Sequence, residues 1–142
     1  FPLIENLASY LSRRQSGKVH ISVFPQSDTS LVVRINTILL EWALENVIKN
    51  ALDAINGEGR VGIYLHQESN RAVIDVSDNG KGMRRHQVRH IFDAGFTTKK
   101  RGWGLGLTLT KRIIEEYHKG RIFVKESEVG KGTTIRIMLP LK

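Results

Sequence analysis

Residues 36–55 read NTILLEWALENVIKNALDAI and form the longest helical pattern in the chain. Apolar side chains recur there every three or four residues, as on a helix that packs one face against a core. Asn36 precedes the pattern as an N-cap and Gly57 follows it, so the sequence predicts a helix over residues 37–55. Its core-facing positions are predicted to be Leu44, Val47, Ile48, Ala51, Leu52 and Ile55.

The segments on either side of this helix predict an α+β fold. Runs of β-branched and aromatic residues bounded by turn residues indicate strands. These runs lie at about residues 19–24, 31–35, 60–67, 71–77, 121–126 and 133–139. Further helices are predicted at about 3–13 and 105–118, with an irregular, glycine-rich stretch at 78–103. This order predicts a two-layer α/β sandwich, in which helices cover one face of a mixed, mainly antiparallel sheet.

Length and composition limit the classes of protein that the chain can represent. The 142 residues predict one domain over 1–142, and the absence of cysteine excludes thiol chemistry and Cys-based zinc sites. No uncharged apolar stretch approaches the roughly 18 residues that span a bilayer. The net charge of +8 would suit an acidic partner, a nucleotide or a nucleic acid, but a solvated basic face is the simpler explanation.

A polar stripe on the long helix gives the first indication of function. At about 100° per residue, Asn46, Asn50 and Asp53 fall on the side opposite the apolar face. A solvated face would explain the stripe, although such faces are usually built from Lys and Glu because Asn is a poor helix former. The alternative is that the amide oxygens bind a hard cation such as Mg²⁺, which prefers oxygen ligands.

Residues 78–83 read DNGKGM and directly follow a predicted strand. Asp78 shares the alternation of Ala72, Ile74 and Val76, so its carboxylate is predicted to point inward. A buried carboxylate needs a hydrogen-bond donor, and no basic residue shares its side of the strand. The exocyclic amine of a purine would serve. A simple type I or II turn would explain the glycine but not the inward acid.

Residues 102–107 read GWGLGL and open the second predicted helix. Glycines at a helix N-terminus let backbone N–H groups approach an anion, and the helix dipole adds to the attraction. The stretch lacks the Gly-Lys-Ser/Thr ending of a P-loop and does not follow a strand in a βαβ unit, so neither P-loop nor dinucleotide binding is indicated. Just upstream, Thr97, Thr98 and Lys99 add two hydroxyls and a cation suited to phosphate oxygens.

Five short motifs follow one another between residues 46 and 133. They are Asn46-x-x-x-Asn50-Ala51-x-Asp53-Ala54, Asp78-x-Gly80-x-Gly82-Met83, Ile91-Phe92-x-x-x-Phe96-Thr97-Thr98-Lys99, Gly102-x-Gly104-Leu105-Gly106-Leu107 and Gly130-x-Gly132-Thr133. In this order they resemble the N, G1, F, G2 and G3 boxes of the ATP-binding catalytic domain of bacterial sensor histidine kinases. The wider family includes type II topoisomerases, heat-shock chaperones and mismatch-repair ATPases. The resemblance implies their Bergerat fold, which binds ATP between the helix layer and a mobile lid.

The resemblance also implies a role for each matched residue. Asn50 would bind Mg²⁺, Asn46 would lie beside the phosphates and Lys99 would be a lid cation, and these three form the expected catalytic set. Asp78 would accept a hydrogen bond from the adenine amino group, and Thr133 would join the network on that side. The residues expected to contact ATP are Asn46, Asn50, Asp53, Asp78, Gly80, Gly82, Met83, Phe96, Thr97, Thr98, Lys99, Gly102, Gly104, Leu105, Gly106, Leu107 and Thr133.

Position 46 indicates the type of reaction. ATP hydrolases that resemble this chain carry a Glu four residues before the metal-binding Asn, where its carboxylate activates water. Here that position is Asn46, and Glu45 lies about 140° around the helix from Asn50. An amide cannot act as a base, so the resemblance implies transfer of the γ-phosphoryl group to a histidine on a separate dimerisation domain. The alternatives are an ATP-hydrolysing relative, an anti-sigma serine kinase and a non-catalytic nucleotide- or nucleic-acid-binding module.

The histidines bear on the partners of the chain. None of the five is followed by the acid and downstream proline of the acceptor motif, so we expect the phosphoacceptor domain to be absent from residues 1–142. The resemblance implies two partners, that domain and the receiver domain of a response regulator, and no nucleic acid. It further implies a homodimeric full-length protein, a monomeric fragment, a cytoplasmic location and a lid over residues 84–103.

Overall fold

A computed structural model describes residues 3–5, 7–8, 19–25, 36–55, 59–93 and 106–141. The strands are β1 (Val19–Pro25), β2 (Gly59–Glu68), β3 (Arg71–Asp78), β4 (Arg121–Glu128) and β5 (Gly132–Pro140). The helices are α1 (Thr37–Asp53), α2 (Arg85–His90) and α3 (Gly106–Arg112), and α3 continues as a π-helical segment, Ile113–Tyr117. Across those ranges, no helix combines the length and the hydropathy that a membrane span requires.

The five strands form one sheet in the order β1-β2-β3-β5-β4. β1 is parallel to β2, and a parallel pair needs a crossover, which α1 provides between them. The other three pairings are antiparallel. This arrangement confirms the predicted mixed, mainly antiparallel sheet. It also places the end of β3 between two neighbours, because Asp78 pairs with Val61 on β2 and with Thr133 on β5.

The helix layer packs on one face of the sheet, mainly through α1. Leu44, Val47 and Ile48 are each at most 1% exposed, as the helical pattern predicted. The sheet contributes Val61, Ile63, Ile74, Val76, Ile122, Ile135, Ile137 and Leu139 to the same core. At about 25 cal/mol per Å² of apolar surface, this burial is the main term that stabilises the two layers. The predicted two-layer sandwich is therefore confirmed.

A buried histidine joins the two largest helical elements. Asn36 caps α1, as predicted, with its side-chain oxygen accepting a hydrogen bond from the Leu39 N–H at 3.1 Å. The Asn36 N–H in turn donates to Nε2 of His118 at 3.0 Å. The other ring nitrogen, Nδ1, donates to the Ile113 carbonyl at 2.9 Å, so the imidazole is the neutral Nδ1–H tautomer. His118 thus ties the start of α1 to the π-helical segment.

Two elements differ from the sequence predictions. Residues 78–103 were predicted to be irregular, yet α2 lies within them, and it begins where the Gln87 side chain accepts a hydrogen bond from the Arg84 N–H at 3.0 Å. The single helix predicted over 105–118 changes from α to π geometry at Ile113. The strand predicted at 31–35 lies outside the described residues. Of the helix predicted at 3–13, the structure describes residues 3–5 and 7–8, and these are helical.

The opposite face of the sheet, which we call the outer face, carries a cluster of ion pairs. Asp75, only 6% exposed, accepts two hydrogen bonds from the Arg136 guanidinium, each at 2.8 Å. This pairing raises the pKa of Arg136. Arg136 also donates to Glu68 at 2.9 Å, Glu68 contacts His66 at 3.1 Å, and Lys125 lies 3.9 Å from Asp75. Charge therefore occupies the middle of the outer face.

Candidate nucleotide-binding site

The polar stripe of α1 faces the start of α3. The Asn46 side chain donates from Nδ2 to the Trp42 carbonyl at 2.8 Å, which orients its amide. A Cβ added at Gly106 would lie 3.0 Å from Asn46 Oδ1, so the two helices meet closely at these residues. Gly106 is the one member of the predicted glycine cradle that the structure describes, and it lies beside Asn46. Asn46 therefore lies beside the start of the predicted phosphate-binding helix, and its role there stays a prediction.

Asn50 follows one turn later and is half-buried. Within the described part of the chain, no hydrogen bond engages its side-chain amide. Asp53, at the end of α1, is exposed. Glu45 lies on another side of the helix, where it forms an ion pair with Lys49 at 2.8 Å. The carboxylate nearest to Asn46 in sequence is therefore directed to a lysine, as the helical angle predicted.

Backbone and side-chain bonds hold residues 78–83, which we call the Asp78 turn, against α1 and β2. The Asn79 side chain accepts from the Arg60 N–H at 2.7 Å, and the Asn79 N–H donates to the Arg60 carbonyl at 3.3 Å. The Lys81 N–H donates to the carbonyl of Ala54, just after α1, at 2.9 Å. The turn is thus fixed at the end of the helix that carries Asn46 and Asn50.

Asp78 is the buried acid of this turn, as the strand alternation predicted. It is 8% exposed, and its Oδ1 accepts a hydrogen bond from the Gly80 N–H at 2.9 Å. Burial raises the pKa of Asp78, and the backbone N–H groups of Gly80 and Thr133 partly oppose that effect by stabilising the carboxylate. The backbone thus supplies part of the hydrogen bonding that the buried acid was predicted to need. The Asp78 carboxylate can still accept further hydrogen bonds, because it offers about four lone-pair sites and only two backbone donors use them.

Three glycines permit close backbone approaches around the Asp78 turn. A Cβ at Gly80 would lie 2.4 Å from the Ala54 carbonyl oxygen. Gly82 has φ +68°, and its Cβ would lie 2.0 Å from the Glu128 carbonyl oxygen. Gly132 has φ +128°, and its Cβ would lie 2.0 Å from the Asp78 carbonyl oxygen. Any larger side chain would force these segments apart, so the glycines set the shape of the site.

Ser127 is a site residue that the motifs did not reveal. Its Oγ accepts from the Met83 N–H at 2.8 Å and is 2.7 Å from Oγ1 of Thr133. Thr133 therefore joins a network around the Asp78 turn, consistent with its predicted position there. Only the strand register could have identified Ser127. It pairs with Thr133 across β4 and β5, beyond an irregularity between Val124 and Glu126.

Phe92 contacts two residues of α3, Thr108 and Lys111. The Thr108 hydroxyl donates to the Phe92 carbonyl at 2.8 Å, and Lys111 Nζ lies 5.8 Å from the Phe92 ring centre. Leu107 packs against the hydrophobic core. The remaining predicted site residues lie outside the described residues; they are Phe96, Thr97, Thr98, Lys99, Gly102, Gly104 and Leu105.

Comparison with known proteins identifies the family of the chain. A sequence profile of the family described as histidine kinase-, DNA gyrase B- and HSP90-like ATPases matches residues 35–142. The chain belongs to this family. Sporulation kinase C of Bacillus subtilis is 40% identical over 103 residues, which are 72% of this chain and 24% of that protein. The mycobacterial sensor histidine kinase MprB superposes with a TM-score of 0.86 at 26% identity, covering 99% of this chain and 95% of that chain.

A third relative was solved with a nucleotide analogue. Full-length ShkA, in complex with AMPPNP, superposes with a TM-score of 0.87 at 25% identity, covering 99% of this chain and 29% of that chain. This chain spans about a quarter of the length of sporulation kinases C and B of Bacillus subtilis. It is thus a histidine kinase-type ATP-binding domain, the catalytic domain of histidine kinases, and the predicted family is confirmed.

Proposed function

We propose that this domain binds Mg-ATP and donates the γ-phosphoryl group to a histidine on a separate dimerisation domain, for relay to a response regulator. The supporting observation is the buried Asp78 carboxylate, held at the end of β3 beside the helix that carries Asn46 and Asn50. We further propose that residues 1–142 form one domain without the phosphoacceptor, and that the domain works in the cytoplasm, where ATP is the donor.

The Asp78 turn suits the adenine base. The carboxylate accepts hydrogen bonds and has two backbone donors, which leaves capacity for the exocyclic amine. Gly80 keeps the turn close to Ala54. Met83 and Thr133 are fixed through Ser127 and complete this end of the site. A buried acceptor of this kind selects a base that presents a donor, because a mismatched partner would leave the acid unpaired.

The residues of α1 fit a magnesium ion bound through ATP. Mg²⁺ keeps several waters and takes only one or two protein oxygen ligands beside substrate phosphates. Asn50 offers one half-exposed amide oxygen, and we assign it as the protein ligand. Within the described residues, no group of three or more His, Asp and Glu side chains could hold a metal without ATP. The ion would neutralise charge on the phosphates when bound.

The absence of a base at position 46 favours transfer over hydrolysis. Asn46 is an amide already bonded to the Trp42 carbonyl, and Glu45 is paired with Lys49. Neither group is placed to deprotonate water. Phosphates held between the glycines and Asn46 would be oriented, but no neighbouring base would activate water to attack them. The γ-phosphoryl group would therefore remain available to an imidazole.

The test is a transfer assay with γ-labelled ATP. We expect the chain alone to release little inorganic phosphate, and we expect label to appear on a histidine-bearing dimerisation hairpin of a sensor kinase supplied in trans. The label should be stable in alkali and lost in acid, as for a phosphorylated imidazole. Rapid phosphate release by the chain alone would instead support the hydrolase, and label on serine would support the serine kinase.

Replacing Asp78 with Asn should weaken nucleotide binding about 5- to 150-fold near pH 7, which corresponds to about 1–3 kcal/mol. Because burial raises the pKa of Asp78, nucleotide affinity of the wild-type domain should begin to fall at a higher pH than for an ordinary aspartate, about 3.9. Calorimetric titration with ADP at several pH values measures both effects. The Asp78→Asn variant should lack the acid-dependent loss, and an unchanged affinity near pH 7 would refute the adenine assignment.

The same substitution should spare the stability of the nucleotide-free domain. A raised folded-state pKa means that the stabilising contribution of the group is present below the unfolded pKa, about 3.9, and is lost as pH rises through the folded pKa. At neutral pH the ionised carboxylate therefore costs stability. Loss of binding without loss of stability separates a binding role for Asp78 from a structural one.

A further inference from the structure

Three polar side chains form a row across the sheet at the end that carries the Asp78 turn. Asp78 on β3 pairs with Thr133 on β5, and Thr133 pairs with Ser127 on β4. Directly paired residues of antiparallel strands place their side chains on the same face, with Cβ atoms about 4.5–5.5 Å apart. Asp78 and Thr133 are 8% and 6% exposed. The Thr133 side chain is therefore a buried neighbour of the carboxylate proposed to bind the adenine amine.

The hydrogen bonds around Ser127 indicate where its single hydroxyl proton points. Its Oγ accepts a hydrogen bond from the Met83 N–H at 2.8 Å. The proton has two acceptors within reach, Oγ1 of Thr133 at 2.7 Å and the Gly132 carbonyl oxygen at 3.4 Å. Hydroxyl bonds are most favourable near 2.7–2.8 Å, so donation to Thr133 is the stronger of the two. If Thr133 donated instead, the Ser127 proton would be left with only the longer contact to Gly132.

When Thr133 accepts the Ser127 proton, its own hydroxyl proton is left for another acceptor. Across the described ranges, the Thr133 hydroxyl bonds to Ser127 and to no other protein group. Adenine would supply an acceptor, because its N1 atom lies next to the carbon that bears the amino group. Asp78 as acceptor and Thr133 as donor would then match the amino group and N1 together. Guanine presents an oxygen acceptor in place of the amino group and a donor at N1, which is the opposite pair.

A hydroxyl group distinguishes these two bases only when its direction is fixed. A threonine hydroxyl that rotates freely can either donate or accept, so it would tolerate both kinds of base edge. We propose that Ser127 is a positioning residue that holds Thr133 as a hydrogen-bond donor to N1 of adenine, directly or through one water. This inference rests on the proposed binding of ATP, and it adds a residue that determines which base the site accepts.

The test compares two nucleotides that differ only at N1. ADP and 1-deaza-ADP, in which a C–H group replaces N1, are each titrated into the chain by calorimetry. The wild-type chain should prefer ADP about tenfold, as expected for the loss of one buried hydrogen bond. In Ser127→Ala this preference should fall below about threefold, because ADP affinity falls more than 1-deaza-ADP affinity. Loss of the bond from Met83 would weaken the binding of both nucleotides equally, so it would not change their ratio.

Ser77→Ala is the matched control. The Ser77 Oγ lies 2.8 Å from Oγ1 of Thr134, so this change removes an equivalent serine–threonine bond from the neighbouring residue pair of β3 and β5. The side chains of that pair lie on the other face of the sheet, so the preference for ADP should not change. Ser127→Thr keeps a hydroxyl at position 127 and should restore most of the preference. Thermal unfolding checks that each variant folds.

The possible results separate the role of Ser127 from the proposed function. The positioning role would be overturned if the wild-type chain bound both nucleotides equally, if Ser127→Ala kept the full preference for ADP, or if Ser77→Ala lost as much of it. Each of these results includes binding of ADP by the wild-type chain and leaves the proposed function standing. Failure of the wild-type chain to bind ADP would instead overturn the proposed function, and the role of Ser127 with it.

Discussion

Replacing Asn50 with Ala is expected to reduce Mg²⁺-dependent phosphotransfer by about 100-fold or more, because the change removes the proposed protein ligand of the ion. Even the loss of a residue that only hydrogen-bonds to a metal ligand commonly lowers metal affinity or activity 10- to 100-fold. Nucleotide affinity measured without Mg²⁺ should change little. Transfer rates and calorimetric affinities, each with and without the metal, give the comparison. Equal losses in the two conditions would assign Asn50 a structural role.

The thermal stability of the Asn50→Ala variant further distinguishes a metal-binding role of Asn50 from a structural one. Asn50 is half-buried on α1, and alanine is the better helix former by about 0.5 kcal/mol, so Asn50→Ala should unfold at the same temperature or slightly higher. Lys49→Ala is the matched control, since Lys49 is the adjacent residue and its side chain, 49% exposed, forms an ion pair with Glu45. The control should retain full transfer activity.

Substituting Gly132 with Ala is expected to destabilise the domain by about 3 kcal/mol or more and to abolish measurable nucleotide binding. The methyl group would lie 2.0 Å from the Asp78 carbonyl oxygen, and φ of +128° is unfavourable for any residue with a Cβ. Relief of the clash would move β5 away from Asp78. Thermal unfolding should show a fall of about 6–12 °C for a domain of this size.

Gly130→Ala provides the matched control for that experiment. Gly130 also has a positive φ, +83°, but an added Cβ would meet no atom within 4 Å. Its substitution should therefore cost only the conformational strain, about 1–2 kcal/mol, and should preserve nucleotide binding. If the two variants unfold at the same temperature, the close approach at Gly132 does not matter for the site.

Local periodicity was sufficient to predict most of the fold. The apolar spacing of α1 and the alternation of β3 reflect burial on a single face, and the structure places Leu44, Val47 and Asp78 inside as predicted. The α2 helix was not predicted, because six residues with no buried side chain leave no apolar period to detect. The π geometry at Ile113 was also not predicted, because it depends on bonds made by His118 and Asn36 across the fold.

The candidate site was predictable only where a residue type is unusual for its position. Asn on a helix face and Asp on the inner side of a strand both violate local preference, and this contradiction marked Asn46, Asn50 and Asp78. Ser127 is ordinary in a strand, and only the pairing of β4 with β5 brings it to Met83 and Thr133. Tertiary register was needed to find it.

The ion-paired outer face affects how copies of this domain can be crowded together. A second sheet stacking on it would have to strip water from the exposed side chains of Glu68 and Lys125, whose charges already pair with Arg136 and Asp75. The paired charges therefore disfavour stacking of copies of this domain through the middle of the outer face.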